Sequence, residues 1–439
     1  MNGSNSAIRS DGTLLDEVAV SESSLYRKIA WRLMPTLFLV YVASYLDRVN
    51  IGYAKLQFAA DLGISDRAYG LGAGLFFVGY LLFEVPSNIY LARKGARRTI
   101  SRIMILWGLV SSAMMFIRSD TSFYVLRFLL GAAEAGLVPG VMLYLTYWFP
   151  ANRRARMIAL FMLGIPVSGI IGAPLSGFIM QTFDGHHGLR GWQWMFLIEG
   201  IPSVLLGIRV YLRMDSHPAE ASWLSSAERD LLATNLAGEQ NRAHHTADAK
   251  SLLTSRRFWL LNAIYLCLVM GNAGFSFWLP QLVSDLGAKE LLNVGMLSAI
   301  PYAVAGLGMV AVGHSSDRTG ERRWHYAVGS FAGMLGLVVC CVYAQHMVVA
   351  IAGLSLSYLG ILSCFGIFWS IATGWLRSEA AVIGLALINS ISSVASYTSP
   401  FVLGIARDMT HQMTDGLYLM AGCLAIGGVL VLRIPKSGS

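Results

Sequence analysis

Twelve apolar runs of about twenty residues follow one another along this 439-residue chain, and short polar gaps separate them. A helix of that length crosses the hydrocarbon core of a bilayer, because about twenty residues at about 1.5 Å each cover roughly 30 Å. The pattern therefore predicts an all-α membrane protein with twelve transmembrane helices. The predicted spans are 33–54, 68–92, 100–117, 121–148, 156–181, 192–213, 257–284, 292–313, 325–343, 347–374, 380–406 and 415–434.

The longest polar gap, residues 214–255, divides the spans into two sets of six. Two six-helix halves are typical of carriers whose substrate site lies at the interface of pseudo-symmetric bundles. Inside the gap, Ser225 and Ser226 precede AERDLL, which predicts a capped surface helix. The predicted domains are an N-terminal tail (1–24), a first six-helix bundle (25–213), the central loop (214–255), a second six-helix bundle (256–434) and a C-terminal tail (435–439).

Basic residues are concentrated in alternate gaps between the spans. The gap after span 2 contains Arg93, Lys94, Arg97 and Arg98, whereas the gap after span 3 contains Arg118 alone. Lys and Arg accumulate on the cytoplasmic side of membrane proteins. The asymmetry predicts a multi-pass protein of the cytoplasmic (inner) membrane, with both termini and the central loop in the cytoplasm.

The composition excludes a single soluble domain, since 55% of the residues are hydrophobic, 13% are charged and the mean hydropathy is +0.57. The net charge of +8 lies in short clusters between apolar runs and not along one face, which argues against binding of nucleic acid. The five cysteines fall within apolar runs, without the spacing of a disulfide framework or a zinc site.

Charged residues occur inside two of the predicted spans. Asp47 and Arg48 are adjacent in span 1, and Arg127 and Glu134 are seven residues apart in span 4, so the latter two project from one helical face. Such a group costs roughly 2.5–3.5 kcal/mol at the centre of a membrane helix, so it usually faces a cavity and has a function. We expect the four to face one another across a water-accessible cleft. The alternative is that they form static ion pairs that only fix helix packing.

A loop motif occurs at equivalent places in the two halves, as GHSSDRTGERR at 313–323 and NIYLARKGARR at 88–98. By itself, each copy can be a basic anchor that sets the topology, and Asp317 can cap a helix end and pair with a nearby arginine. The second copy resembles the loop signature G-x-x-x-D-R-x-G-x-R-R of the major facilitator superfamily, while the first departs from it at Asn88 and Ala92. The matching residues are Gly313, Asp317, Arg318, Gly320, Arg322 and Arg323.

Four further motifs resemble the anion:cation symporter family within that superfamily, and they are YLDRVNIGYA (45–54), LFFVGYLLFEVPSN (75–88), RFLLGAAEAGLVPG (127–140) and FWLPQ (277–281). The resemblance implies the major facilitator fold. It implies carriage of small organic acids, such as tartrate or aromatic and heteroaromatic carboxylates, together with protons. It also implies that Asp47 and Glu134 are the proton-coupling carboxylates.

Arginine is suited to bind the carboxylate of such a substrate, because its guanidinium offers a bidentate fork and keeps its charge. We expect Arg48 to bind the substrate, and Arg127 to divide its contacts between the substrate and Glu134. Polar and aromatic residues of other spans are further candidates for substrate binding, with packing or interhelical hydrogen bonding as the alternative for each. These candidates are Tyr45, Tyr80, Trp278, Gln281, Ser370 and Asn389, of which the last two rest on the family resemblance.

These observations favour a secondary transporter that takes up a small organic acid anion by proton symport. We expect it to be driven by the proton gradient without a cofactor, and to work as a monomer in the lipid bilayer. An exporter or antiporter of a drug or metabolite is the alternative, although the antiporter motif G-P-x-x-G-G differs at two positions from APLSGF at 173–178. An enzyme is disfavoured because G-x-S-x-G, H-E-x-x-H and P-loop motifs are missing from the sequence, and a sensor built on a transporter scaffold is a third alternative.

Overall fold

The computed structural model describes residues 22–240, 253–376 and 378–434. The predicted tails at 1–21 and 435–439 and the part of the central loop at 241–252 lie outside these residues. Every regular element in the described part of the chain is a helix, which confirms the predicted all-α class. The α-helices are α1 Glu22–Leu62, α2 Asp66–Lys94, α3 Ala96–Ala113, α4 Asp120–Glu134, α5 Leu137–Thr146, α6 Ala151–Met162, α7 Gly164–Thr182, α8 Gly191–Arg213, α9 Ser226–Gln240, α10 Arg256–Asp285, α11 Leu291–Thr319, α12 Arg323–Val342, α13 Met347–Trp375, α14 Ser378–Thr410 and α15 Thr414–Leu432.

Most of these helices are long and apolar enough to cross a bilayer. Among the described residues, eleven helical stretches have the length and hydropathy expected of a membrane span. Two of these stretches consist of consecutive helices, α4 with α5 and α6 with α7. The 33-residue α14 is long enough to be a further span. Each predicted span therefore coincides with one of these stretches.

The helix ends extend beyond the predicted spans, because hydropathy marks only the apolar part of a helix. Helix α1 begins at Glu22, inside the predicted tail 1–24, and it continues to Leu62. Span 4 is interrupted, since α4 ends at Glu134 and Gly136 then adopts a left-handed conformation with a φ of 86°. The predicted span 121–148 is therefore confirmed as a span, but two consecutive helices, α4 and α5, form it.

The helices form two packed groups. Helices α1 to α8 pack through α3 with α8, α2 with α4 and α1 with α7, and α10 to α15 pack through α12 with α13, α12 with α15 and α10 with α14. The two halves meet along α7 with α11, α2 with α14 and α1 with α10. Glycines let the backbones touch there: a Cβ on Gly177 would lie 2.4 Å from the Leu291 carbonyl oxygen, and one on Gly295 would lie 2.3 Å from that of Ala173. The exact domain boundaries stay a prediction.

Successive spans alternate in direction, so the bundle has two ends. We call the end at which α1 begins and α15 finishes the near end, and the opposite end, with the turn between α1 and α2, the far end. At the near end α9 contacts α1, because Lys28 Nζ donates to Glu228 at 2.7 Å and Asn235 Nδ2 donates to the Tyr26 hydroxyl at 3.2 Å. The Ser225 hydroxyl accepts from the backbone N–H of Glu228 at 3.2 Å, which confirms the predicted capped helix in the central loop.

Candidate transport site

An ion pair joins α1 to α4 inside the first half. Arg48 Nη2 donates to Oε1 of Glu134, which also accepts from the Ser44 hydroxyl at 2.7 Å. Glu134 is 1% exposed, and its other carboxylate oxygen has no partner among the described residues. Gly131 permits the close approach of α2 to α4, because a Cβ there would lie 1.9 Å from the carbonyl oxygen of Phe76. A buried carboxylate that can bind either a guanidinium or a proton is thus held at the end of α4.

Arg127 is fully buried on α4, and no carboxylate of the described chain pairs with it. Its Nε and Nη2 donate to the backbone carbonyls of Gly72 and Ala73 at 3.4 Å each, and Nη1 has no partner there. The expectation that Arg127 shares Glu134 is therefore wrong, because the carboxylate at the end of α4 turns towards α1. One nitrogen of this buried guanidinium thus has no acceptor among the described residues.

Aromatic rings surround both guanidiniums. The ring centroid of Phe76 lies 5.2 Å from Cζ of Arg48 and 5.0 Å from Cζ of Arg127. The Tyr80 ring lies 5.8 Å from Arg48, and the Phe277 ring, from the second half, lies 5.7 Å from Arg127. Cation–π attraction favours these positions for a cation. The Phe76 ring is thus within cation–π distance of both guanidiniums.

Asp47 lies on another side of α1 from its neighbour Arg48. Its Oδ1 accepts from the Ser111 hydroxyl of α3 at 2.9 Å, and its Oδ2 accepts from the Ser203 hydroxyl of α8 at 3.0 Å. Asn50 Nδ2, one turn along α1, is 3.3 Å from Oδ1. Adjacent residues of an α-helix project about 100° apart, so both cannot face the same partner. The expectation that the four charged residues face one another across a cleft is therefore wrong.

The residue that Asp47 approaches through Asn50 is Glu199 of α8, which the sequence analysis missed. Asn50 Nδ2 donates to Glu199 Oε2 at 3.1 Å, and the Ser176 hydroxyl donates to Oε1 at 2.7 Å. Glu199 is 5% exposed. The sequence does indicate Glu199 as a candidate, because it is an acidic residue inside predicted span 6, as Asp47 is inside span 1. Two buried carboxylates are thus joined by one amide.

Tyr45 reaches across the interface between the halves. Its hydroxyl lies 3.3 Å from Ser276 Oγ of α10 and 3.5 Å from the Tyr358 hydroxyl of α13. Tyr358 is held in place by stacking on Phe275, with ring centroids 4.3 Å apart. The structure thus places three hydroxyl groups on the second half's side of α1.

Tyr80 and Asn389 lie on the facing helices α2 and α14. The Tyr80 ring is beside Arg48, within the cluster of rings described above. Asn389 Nδ2 is 3.5 Å from Oε1 of Glu84, a long hydrogen bond that joins the two halves. Tyr80 is therefore brought to the guanidiniums, while Asn389 contacts a different carboxylate.

Trp278 and Gln281 lie in the last turns of α10, towards the far end of the bundle. Trp278 is fully buried and donates from Nε1 to the Pro400 carbonyl at 3.2 Å. Gln281 Oε1 accepts from Lys55 Nζ at 2.7 Å. Their hydrogen bonds are satisfied within this packing, so the structure does not bring them to the Arg48–Glu134 pair. Trp278 contacts α14 and Gln281 contacts α1, and spacing along α10 does not reveal these partners.

Charged residues close the far end across both halves. Lys55 of α1 pairs with Asp66 of α2 at 2.6 Å. Arg407 of α14 pairs with Asp66 at 3.0 Å and also with Asp285 of α10. The carboxylate of Asp408 accepts from the backbone N–H of Asp66 at 3.0 Å. Ion pairing and hydrogen bonding therefore join the two halves at this end.

The second loop motif fixes the near end of the second half. Gly320 ends α11 in a left-handed conformation with a φ of 67°. Arg322 Nη1 donates to the Ser370 carbonyl at 2.9 Å, and Arg323 Nη1 donates to that of Ile434 at 2.5 Å. Ser370 thus lies beside the loop motif, away from the guanidiniums of the first half.

The remaining residues of the loop motif are Gly313, Asp317 and Arg318. Asp317 and Arg318 are exposed, and no ion pair to Asp317 occurs in the described part of the chain. The expected Asp317–Arg pair is therefore wrong for this structure. Gly313 lies within α11, where an added Cβ would have open space. The turn of the loop motif is formed at Gly320.

The chain matches the family model described as Major Facilitator Superfamily over residues 37–400. The chain belongs to the major facilitator superfamily. This major facilitator is 43% identical over 424 residues to "Putative metabolite transport protein NicT" of Pseudomonas putida, which covers 96% of this chain and 97% of the relative. It is 41% identical to a "Putative tartrate transporter" of Agrobacterium vitis, over 98% and 94% of the two chains. A "Quinolone resistance transporter" of Acinetobacter baumannii is 36% identical, over 93% and 94%.

Solved structures of this superfamily share the fold. A bacterial homologue of the human lysosomal transporter Spinster, in an inward-facing and occupied conformation, superposes with a TM-score of 0.74 at 15% identity, covering 93% of this chain and 96% of that one. The protein is therefore a membrane transporter and not an enzyme, in agreement with the sequence-based prediction.

Proposed function

We propose that this major facilitator takes up a small organic acid anion together with protons, with its near end in the cytoplasm. The observation that carries the proposal is a surplus of positive charge beside one aromatic ring. Arg48 and Arg127 both contact the ring of Phe76, while Glu134 pairs with Arg48 alone. A buried charge without a paired opposite charge is costly, so binding of an anionic substrate to Arg127 is favourable.

The side chains around the two guanidiniums favour a carboxylate with a ring or a hydroxylated body. Phe76, Tyr80 and Phe277 offer apolar faces, on which a planar substrate can stack. Across the interface, Tyr45 and Tyr358 offer hydroxyl groups for a polar substrate. The relative named as a tartrate transporter supports the same broad class of small organic acids.

Proton coupling follows from competition at Glu134. When Glu134 binds a proton, its neutral carboxyl group no longer holds Arg48 as an ion pair. Arg48 is then free to bind the substrate carboxylate together with Arg127. Loss of the proton restores the Arg48–Glu134 pair and releases the substrate, so movement of proton and anion in the same direction is coupled.

Asp47 supplies a second carboxylate for a proton, behind the substrate site. It is shielded from the guanidiniums by α1 and receives hydrogen bonds from Ser111 and Ser203. Asn50 connects it to Glu199. We include Glu199 in the proton-coupling group, because two buried carboxylates that share one amide donor have no basic partner among the described residues to balance two negative charges.

Access to the site alternates by movement of the two halves. The contact between Arg407 and Asp66 closes the far end in this structure. We assign the far end to the outside, because the basic clusters lie at the near end. Substrate then enters when this contact opens and leaves towards the cytoplasm.

The test uses purified protein in liposomes, with labelled tartrate and labelled nicotinate as probes. Glu134→Gln should lose gradient-driven accumulation and keep substrate exchange, because the neutral amide mimics the protonated carboxyl group. Arg48→Ala should lose both accumulation and exchange, because the substrate contact is removed. Glu290→Gln, an exposed acid at the far end, is the matched control.

Full accumulation by the Glu134→Gln protein would remove the proton role of Glu134. Unchanged exchange by the Arg48→Ala protein would remove its substrate role. Accumulation of neither probe by the unaltered protein, under an inward proton gradient, would contradict uptake of these acids.

An exporter is the second candidate, and one observation favours it. The relative named as a quinolone resistance transporter is 36% identical over nearly the whole chain. An inward proton gradient in liposomes separates the two functions. Symport concentrates the labelled acid inside the liposomes, whereas proton antiport expels a preloaded quinolone.

A further inference from the structure

A cavity of about 280 Å³ opens at the near end of the first half, between α1 and α8. Arg32 of α1 and Arg209 and Arg213 of α8 line it. All three are exposed, and none forms an ion pair with another described residue. Arg209 and Arg213 are four residues apart, so they project from one face of α8. Three guanidiniums with free donors at one cavity form a site for an anion.

The same faces of both helices become apolar one turn deeper in the bundle. On α1, Leu39 follows the cavity-lining Thr36 by three residues and is 52% exposed. On α8, which runs towards the near end, Leu205 precedes Arg209 by four residues and is 61% exposed. These spacings place both leucines on the far-end side of the three arginines. Exposed apolar side chains of both helices therefore lie next to the basic cavity, on the outside of the bundle.

We propose that this cavity binds the headgroup of an anionic glycerophospholipid. Arg209 and Arg213 hold its phosphodiester, Arg32 adds a third positive charge, and the acyl chains lie along Leu39 and Leu205. Basic pockets between transmembrane helices at the cytoplasmic side bind such headgroups. A free phosphate would contact only the arginines, whereas a lipid contacts the arginines through its headgroup and the two exposed leucines through its acyl chains.

One acidic group in the cavity narrows the choice of headgroup. Asp215 is one of the residues that line the cavity, and its carboxylate Oδ2 accepts from Trp223 Nε1 at 2.8 Å. The backbone carbonyl of Asp215 accepts from the Tyr144 hydroxyl at 2.7 Å, which fixes its position. A carboxylate repels a second phosphate and accepts a hydrogen bond from a hydroxyl group. The lining therefore favours a glycerol headgroup, as in phosphatidylglycerol.

The experiment compares phospholipid bound by purified full-length variants. Protein is incorporated into vesicles of phosphatidylcholine, with or without phosphatidylglycerol, and thermal unfolding and co-purifying lipid are measured. Arg209→Gln with Arg213→Gln should lower the affinity for phosphatidylglycerol about tenfold or more, because two phosphate contacts are lost. Arg67→Gln with Arg118→Gln removes the same charge from exposed positions at the far end and should behave as the unaltered protein.

Two further arms make the result decisive. Arg209→Lys with Arg213→Lys keeps the charge, so it should retain more phosphatidylglycerol than the glutamine variant. Inorganic phosphate and glycerol 3-phosphate should not reproduce the thermal shift. Equal retention of phosphatidylglycerol by the two glutamine variants would overturn the proposal, and so would an equal shift with either free phosphate.

Discussion

The two halves of the molecule bury different kinds of polar group. The first half, α1 to α8, buries acidic and basic side chains, namely Asp47, Lys55, Glu84, Arg127, Glu134 and Glu199. The second half, α10 to α15, buries none among its described side chains, and its buried polar residues there are Asn262 and serines. Charge chemistry is therefore concentrated in one half. The other half supplies hydroxyl groups and aromatic rings, whose interactions depend on shape.

This division has a mechanical consequence. The central Arg48–Glu134 pair lies within one half, so the halves can move apart without separating those two charges. The ion pair between Arg407 and Asp66, by contrast, crosses the interface at the far end. We infer that the proton-dependent step is confined to the first half, while opening of the far end requires separation of charges between halves.

Among substitutions that keep the charge or the size of a side chain, Arg127→Lys should have the largest effect. Arg127→Lys removes the guanidinium fork that a carboxylate needs. Charge-assisted hydrogen bonds contribute about 1.5–3 kcal/mol, so we expect a loss of roughly 10- to 100-fold in substrate affinity. Binding is measured by the thermal shift that the organic acid produces, with exposed Arg118→Lys as the control. Unchanged affinity would show that the surplus charge does not bind substrate.

The next effect concerns Glu199, the second carboxylate behind α1. Glu199→Gln keeps the size of the side chain. Its amide oxygen can accept from Asn50 and its amide N–H can donate to the Ser176 hydroxyl, so the protein should fold. We expect the pH dependence of uptake to change, because one proton-binding group is removed. Exposed Glu290→Gln in the second half should leave the pH profile unaltered.

A purely structural role for Glu199 would give a different pattern. Glu199→Ala leaves two polar partners unsatisfied and should lower the free energy of unfolding by about 1–3 kcal/mol. If Glu199→Gln lowers thermal stability to the same extent and keeps the original pH profile, Glu199 serves helix packing and not proton coupling.

The smallest effect is expected in the second half. Tyr358→Phe removes a hydroxyl group and keeps the stack on Phe275. A neutral hydrogen bond contributes about 0.5–1.5 kcal/mol, so the KM for a hydroxylated acid should rise about 2- to 10-fold. Gradient-driven accumulation should persist. Loss of accumulation with retained exchange would place proton coupling in both halves. It would contradict the assignment of charge chemistry to the first half.

The sequence alone determined the class of the protein and the position of its spans. Hydropathy is a property of consecutive residues and can be calculated from the sequence. Twenty apolar residues in lipid form a helix because their backbone groups have no other hydrogen-bond partners. Local features also followed from sequence, such as the Ser225 cap of α9. The identity of Asp47, Arg48, Arg127 and Glu134 as unusual residues needed no structure either.

Which of these residues contact one another depended on the tertiary fold. Asp47 and Arg48 are neighbours in sequence, yet one faces α3 and α8 and the other faces Glu134. Glu134 pairs with Arg48 of α1 and not with Arg127, and Glu199 joined the site from a position 149 residues beyond Asn50 along the chain. Helical spacing fixes the direction of a side chain relative to its own axis. The rotation and tilt of each helix against its neighbours come from packing of the whole bundle, and these set the partners.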